Sequence, residues 1–92
     1  VYAPLGPTHL ATEDLAILRA LPNMTILAPA DAEEMARAVR ATLNHDGPVY
    51  VRVAKGHDPV VTHELGEFRI GRAVPMRDGH DALFVTTGVG LQ

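Results

Sequence analysis

Gly6-Pro7-Thr8-His9 holds the side chain best suited to proton chemistry in this sequence. An imidazole titrates near neutrality, so His9 can donate or accept a proton at working pH. Gly6 permits unusual backbone dihedrals and Pro7 fixes φ near −65°, so the ring is presented on a stiff turn. Two cations stand further along, Arg52 and Lys55, in and just after the apolar run Pro48-Val49-Tyr50-Val51-Arg52-Val53-Ala54. Lys55 follows the carboxyl end of that run, the edge at which ligands bind in open parallel sheets. Each cation also has the plain reading of a strand-end charge in water. Glu13, Asp14 and Arg19 fit a structural account, carboxylates in a first helical turn with Arg19 pairing back or reaching toward Asp31. His45, His57, His63 and His80 have no spacing that would set two on one helical face, so they are expected at the surface and no metal site is expected.

The elements that must position these groups follow from periodicity. Ala11, Leu15 and Leu18, with Ile17 and Leu21 nearby, predict a helix over 11–21 that Pro22 ends. Met24-Thr25-Ile26-Leu27-Ala28 is too short for a helix and predicts a buried strand. Asp31 with Glu34 three residues on predicts a capped second helix, whose apolar stripe would be Ala32, Met35, Ala36, Val39 and Leu43. Asn44-His45-Asp46-Gly47 ends it, and the apolar run from Pro48 to Ala54 predicts a strand parallel to the first. The order strand, helix, strand with short loops implies a βαβ unit and an α/β fold. Beyond Gly56 the pattern loosens, with one alternating segment, Phe68 to Val74, predicted as an edge strand, and a second buried strand predicted at Ala82 to Thr86.

Composition narrows the function classes. The chain has 92 residues, a formal charge of −3 and no cysteine. Its eight Lys and Arg are scattered, which argues against a nucleic-acid partner. No disulfide framework or thiolate metal site is available. No apolar run approaches membrane-spanning length and no signal-peptide layout is present, so no membrane partner and a cytoplasmic location are expected. A chain of this length buries roughly 60–65% of its unfolded surface, a marginal core. The opening at Val1 and the close on a strand and glycine-containing turn predict a piece of a larger polypeptide.

The stretch GPTHLATEDLAILRALPNMTILAPAD resembles the pyrimidine-binding domain of transketolase-type thiamine diphosphate enzymes, a group that includes transketolase and deoxyxylulose-phosphate synthase. The resemblance runs from about Gly6 to about Lys55 and continues more weakly through FRIGRAVPMRDGHDALFVTTG, which is similar to the linker and first strand of that family's C-terminal domain. It implies a parallel-sheet pyrimidine-binding domain, C-terminal part, over 1–56, an interdomain linker with an edge strand over 57–80, and the start of a transketolase-type C-terminal domain over 81–92. It implies a transferase moving a two-carbon ketol or acyl unit between carbonyl compounds, sugar phosphates or 2-oxo substrates. Thiamine diphosphate would be the cofactor, with Mg²⁺ bound by ligands outside this chain. His9 would sit in the cofactor cleft as a catalytic and cofactor-contacting residue, with Lys55 and Arg52 on substrate phosphate. The rest of the enzyme, as a homodimer or a split heteromer, would complete the site. Two positions depart from the family: Leu5 stands where an acidic residue commonly binds a substrate hydroxyl, and Leu10 where a Gln often follows the His, so the pocket is more apolar. A β-type subunit of a 2-oxoacid dehydrogenase E1, and a non-catalytic assembly or regulatory remnant of the fold, remain the alternatives.

Overall fold

The computed structural model describes residues 3–92; Val1, on which the expectation of a cut start rests, lies outside them. The chain enters through a 3₁₀ stretch, Ala3–His9, kinked at Gly6 (φ 56°, ψ −144°), a conformation that side chains with a Cβ rarely adopt. Helix α1 follows at Asp14–Arg19, shorter than the expected 11–21. Thr12 and Glu13 do not cap it: the Thr12 hydroxyl donates to the Glu13 carboxylate at 2.5 Å, and Glu13 makes no side-chain bond to the helix backbone. The exit tightens through Ala20 N–H to Ile17 O and Leu21 N–H to Leu18 O. Pro22 stops it, and Asn23 turns at φ 61°.

Strands β1 (Thr25–Leu27) and β2 (Val49–Val51) pair in parallel with Thr25 beside Val49, Ile26 beside Tyr50 and Leu27 beside Val51. Helix α2 (Ala32–Thr42) connects them, so the expected βαβ order and α/β class are present. Asp31 caps α2 as expected, accepting from Glu34 N–H at 2.8 Å. Glu34 returns its carboxylate to Ala30 N–H at 2.7 Å, one residue earlier than a capping box requires. At the far end Gly47 reverses the chain at φ 100°.

The capping carboxylate is also the centre of a buried network. Asp31 is 5% exposed and Thr62 fully buried. Asp31 Oδ2 accepts from the N–H groups of Val61 and Thr62, and Oδ1 accepts from the Thr62 hydroxyl as well as from Glu34 N–H, all at 2.8 Å. Arg37 donates to the carbonyl and hydroxyl oxygens of Thr62 at 2.9 and 2.6 Å. Burial pushes the Asp31 carboxyl up, but the combined donors outweigh it and hold the group at about 2.

The core is small: among the described residues Leu27, Ala30 and Ala38 are buried, beside Pro29. The apolar stripe of α2 is not buried within this chain. Ala38 is enclosed, whereas Leu43 is 81% exposed and Val39 about half exposed. Two strands of three residues are too narrow to cover that stripe, and the ties from Asp31 and Arg37 to Thr62 draw the other side of the helix onto the 61–62 segment.

The two further strands are also absent. From Phe68 to Val74 the chain makes a turn closed by Arg72 N–H to Arg69 O, with Gly71 at φ 81°, and Arg69 forks onto Glu67 at 2.7 and 3.0 Å. Alternation there needed a neighbouring strand, and among the described residues none lies alongside. Ala82 to Thr86 forms no strand, with Phe84 89% exposed. The last turn, Gly88–Leu91, returns to the β1–α2 connection: the Thr87 hydroxyl donates to Ala28 O at 3.2 Å and the Gln92 amide to Ala30 O at 3.0 Å.

Thr62→Val keeps the shape but removes the hydroxyl joining Asp31 to Arg37, and it is expected to lower stability by about 1–3 kcal/mol, read from the urea midpoint. Because the folded pKa of Asp31 lies below its ordinary 3.8, the unfolded chain binds more protons between about pH 2 and 4. This contribution is therefore full above about pH 4 and lost as pH falls through about 2; urea midpoints measured across that range should rise with pH. Gly6→Ala should cost about 1–3 kcal/mol of local order, seen as faster amide exchange over Leu5 to Leu10 with α2 unaffected.

Candidate functional site

Because β1 and β2 are parallel, both end at one edge, where Arg52 N–H donates to Leu27 O at 2.9 Å. The connections leaving that edge enclose an open cleft of about 200 Å³ lined by Pro29, Ala32, Met35, Val53 and Ala54, with Asp31, Gly56, His57 and Asp58 at its polar side. Lys55 lies between the lining residues Ala54 and Gly56, on the exposed surface. His57 takes φ 65° and Gly56 φ 98°, and the chain bends directly after Lys55. The strand expected over Pro48 to Ala54 ends at Val51, so Lys55 stands four residues beyond the carboxyl end of β2.

His9 closes the Ala3–His9 stretch, on the surface. The Thr8 hydroxyl donates its one proton to Leu5 O at 2.8 Å, so toward His9 Nδ1, 2.9 Å away, it can only accept. Nδ1 of the neutral ring therefore carries the proton and Nε2 is its basic nitrogen. Thr8 is the residue that sequence reasoning passed over here, although its place beside the His was a usable signal. His9 does not line the cleft.

Arg52 connects the two regions. Its Nε donates to Asp14 Oδ2 at 3.0 Å, its Nη2 pairs with Asp14 Oδ1, and Nη2 also donates to Ala11 O at 3.1 Å. Tyr50 donates its hydroxyl to Asp14 Oδ2 at 2.7 Å. The Arg52 fork, ahead of the Tyr50 and Leu15 N–H bonds and against desolvation, holds the Asp14 carboxyl well below the usual carboxylate range. The same bond raises Arg52, and Asp14 likewise pushes the Tyr50 phenol up. Asp14 thus does more than face the helix dipole, and its partner lies 38 residues away in sequence, beyond any local pattern. Arg19 makes no ion pair among the described residues.

The remaining histidines are not all plain surface groups. His45 Nε2 lies 2.8 Å from the Thr25 hydroxyl at the opposite edge of the sheet, half-buried, and His63 Nδ1 lies 3.2 Å from Glu33. Among the described residues no group of three or more His, Asp or Glu side chains is arranged to hold a metal ion. Among them, too, no helix is long and apolar enough to cross a membrane.

Comparison with known proteins bears on the same segment. The chain is 47% identical over 85 residues to an uncharacterized transketolase family protein of Sinorhizobium fredii, covering 91% of this chain and 25% of that protein. It is 37% identical over 84 residues to a 6-deoxy-6-sulfo-D-fructose transketolase subunit of a Clostridium species, covering 91% and 26%. It is 38% identical over 86 residues to the 1-deoxy-D-xylulose-5-phosphate synthase of a Synechococcus species, covering 90% and 13%. The chain therefore spans about a quarter or less of the length of these relatives. No solved structure matches it. The family profile described as "Transketolase, pyrimidine binding domain" matches residues 2–59, a span that includes the His9 turn, both strands, α2, Arg52 and Lys55, and the chain belongs to that transketolase family.

Proposed function

We propose that this chain is the His9-bearing part of a thiamine diphosphate-dependent, transketolase-like transferase that moves a two-carbon ketol or acyl unit between carbonyl substrates, sugar phosphates in particular. The observation that carries the reading is the Thr8-oriented imidazole on the Gly6 turn, inside the matched segment. Thiamine diphosphate, when bound, supplies the reactive carbon and the electron sink for carbon–carbon bond cleavage and formation. His9 contacts the cofactor and substrate side of the site. With Nδ1 held by Thr8, its Nε2 takes a proton from a substrate hydroxyl and returns it to a substrate oxygen. Lys55 attracts the substrate's anionic group at the strand edge as a point charge rather than a planar fork. Arg52 adds positive charge there only as far as Asp14 leaves it uncompensated. Mg²⁺ is assigned to ligands outside this chain.

Residues 1–56 form the pyrimidine-domain portion of this assignment, 57–80 a linker and 81–92 the start of a further domain. Another polypeptide or a second copy supplies the diphosphate-binding side. Two relatives are named as transketolase subunits: the Clostridium protein above, and an apulose-4-phosphate transketolase subunit of Phocaeicola vulgatus, 36% identical over 88 residues, 95% of this chain and 28% of that protein. These names favour a split heteromer, in a soluble cytoplasmic enzyme. Leu5, at the position where the family commonly has an acid, favours a less hydroxylated substrate, and it is also the feature on which the non-catalytic alternative rests.

His9→Ala is expected to lower kcat about 10²–10⁴-fold in the assembled enzyme, and unchanged turnover would remove the catalytic reading. Lys55→Ala should raise KM for a phosphorylated substrate about tenfold or more with little change in kcat, and leave the unphosphorylated analogue unaffected; steady-state kinetics on both substrates separates the two.

A further inference from the structure

We propose that Arg52 is a positioning residue, holding the His9 loop to the sheet edge through the Asp14 carboxylate and the Ala11 carbonyl. The inference rests on the proton-transfer role given to His9. Residues Leu10, Ala11, Thr12 and Glu13, which join His9 to α1, are exposed, so apolar burial contributes little to fixing them. Their placement depends on directional bonds. Arg52 reaches Ala11, two residues after His9, and Asp14, the first residue of α1, and so fastens both sides of that connection at once. Its own backbone is paired to Leu27, so the tie ends on the sheet rather than on another loop.

The geometry requires these side-chain types. Only an arginine can reach both carboxylate oxygens and a carbonyl from one planar group, whereas a lysine would keep the charge and lose the fork. Tyr50, on β2 and two residues before Arg52, donates to the same Oδ2 and orients Asp14 for that fork. Asp14 is largely enclosed and Arg52 about one-third exposed. Ahead of the histidine, the Gly6 kink and the Thr8 hydroxyl set the entry to the loop. The imidazole is thus held between a stiff turn on one side and a tie to the sheet on the other.

The test compares Arg52→Lys, Asp14→Asn, their combination and Tyr50→Phe in the assembled, full-length enzyme. Amide exchange is read without substrate, and turnover is read with a ketose phosphate and with the same ketose lacking phosphate. Exchange over Leu10 to Leu15 should quicken about tenfold in Asp14→Asn and Arg52→Lys and by less in Tyr50→Phe, while α2 exchange stays unchanged and shows the fold intact. The kcat should fall about tenfold or more for both ketoses with KM nearly constant, and the double variant should be no worse than the single ones. Unchanged exchange in both single variants overturns the proposal. So does a KM rise in Arg52→Lys confined to the phosphorylated ketose with Asp14→Asn silent, which would make Arg52 an anion ligand. Loss of the His9 role has a different signature: quickened loop exchange with turnover intact in His9→Ala.

Discussion

Asp31 carries the constraint on which most of the tertiary structure depends. One carboxylate accepts bonds from Glu34, Val61 and the backbone and hydroxyl of Thr62, so it joins the start of α2 to a segment thirty residues on. Taking a charge out of water is costly, and it is tolerated here because every lone-pair direction meets a donor and the helix N-terminus favours negative charge. Thr62 completes the circuit by donating to Asp31 and accepting from Arg37, and among the described residues no buried side-chain polar atom lacks a partner. The Ala28–Asp31 connection is consequently where β1, α2, the 61–62 segment and the closing turn at Thr87 and Gln92 meet.

Polar ties carry this weight because the apolar core is so small. Leu27, Ala30 and Ala38 give little area, while Ile17, Val39, Leu43 and Val53 remain exposed. A parallel sheet is ordinarily covered on both faces. Within this chain α1 packs against β1, and the Cα radius of gyration, 14.3 Å, exceeds the roughly 12 Å of a compact domain of this length. Hydrogen bonds supply direction where burial is too weak to select one arrangement. Asp31 does this for the β1–α2 turn and Arg52 for the His9 loop.

What could be read in the sequence was local. The stop at Pro22, the cap at Asp31, the short apolar strands and the Gly6 turn each depend on neighbours within four residues, and each is present. Apart from the start of α1, expected at 11 and found at Asp14, the misplaced readings depended on something distant. The alternation at Phe68 to Val74 and the apolar run at Ala82 to Thr86 describe strands only if another strand lies beside them, and a turn at Gly71 and a run without regular structure stand there instead. Likewise the stripe on α2 specifies an apolar face without saying what covers it. The partners Asp14–Arg52 and Asp31–Thr62 are 38 and 31 residues apart, and no periodicity encodes them. His9 and Lys55 were legible as residue types in a pattern. The Thr8 hydroxyl that decides the imidazole tautomer was legible only once the Leu5 carbonyl was seen to take its proton.

The parallel register is what gives these scattered groups a common location. With Thr25 beside Val49 and Leu27 beside Val51, both strands release the chain at one edge, so Pro29 and Asp31 from the first connection face Val53 to Asp58 from the second across the same cleft. An antiparallel pair would send Lys55 to the end where Thr25 meets His45. Arg52 is the first residue past β2, and its backbone still bonds to Leu27 while its side chain reaches Ala11. The histidine loop is thereby drawn to the edge where the cleft opens, although it contributes no strand and almost no buried area. A shift of β2 by one residue would turn Tyr50 and Arg52 to the opposite face and part both from Asp14. The strand register and the position of the His9 loop are therefore one structural decision, made where Arg52 bonds to Leu27 through its backbone and to Asp14 through its side chain.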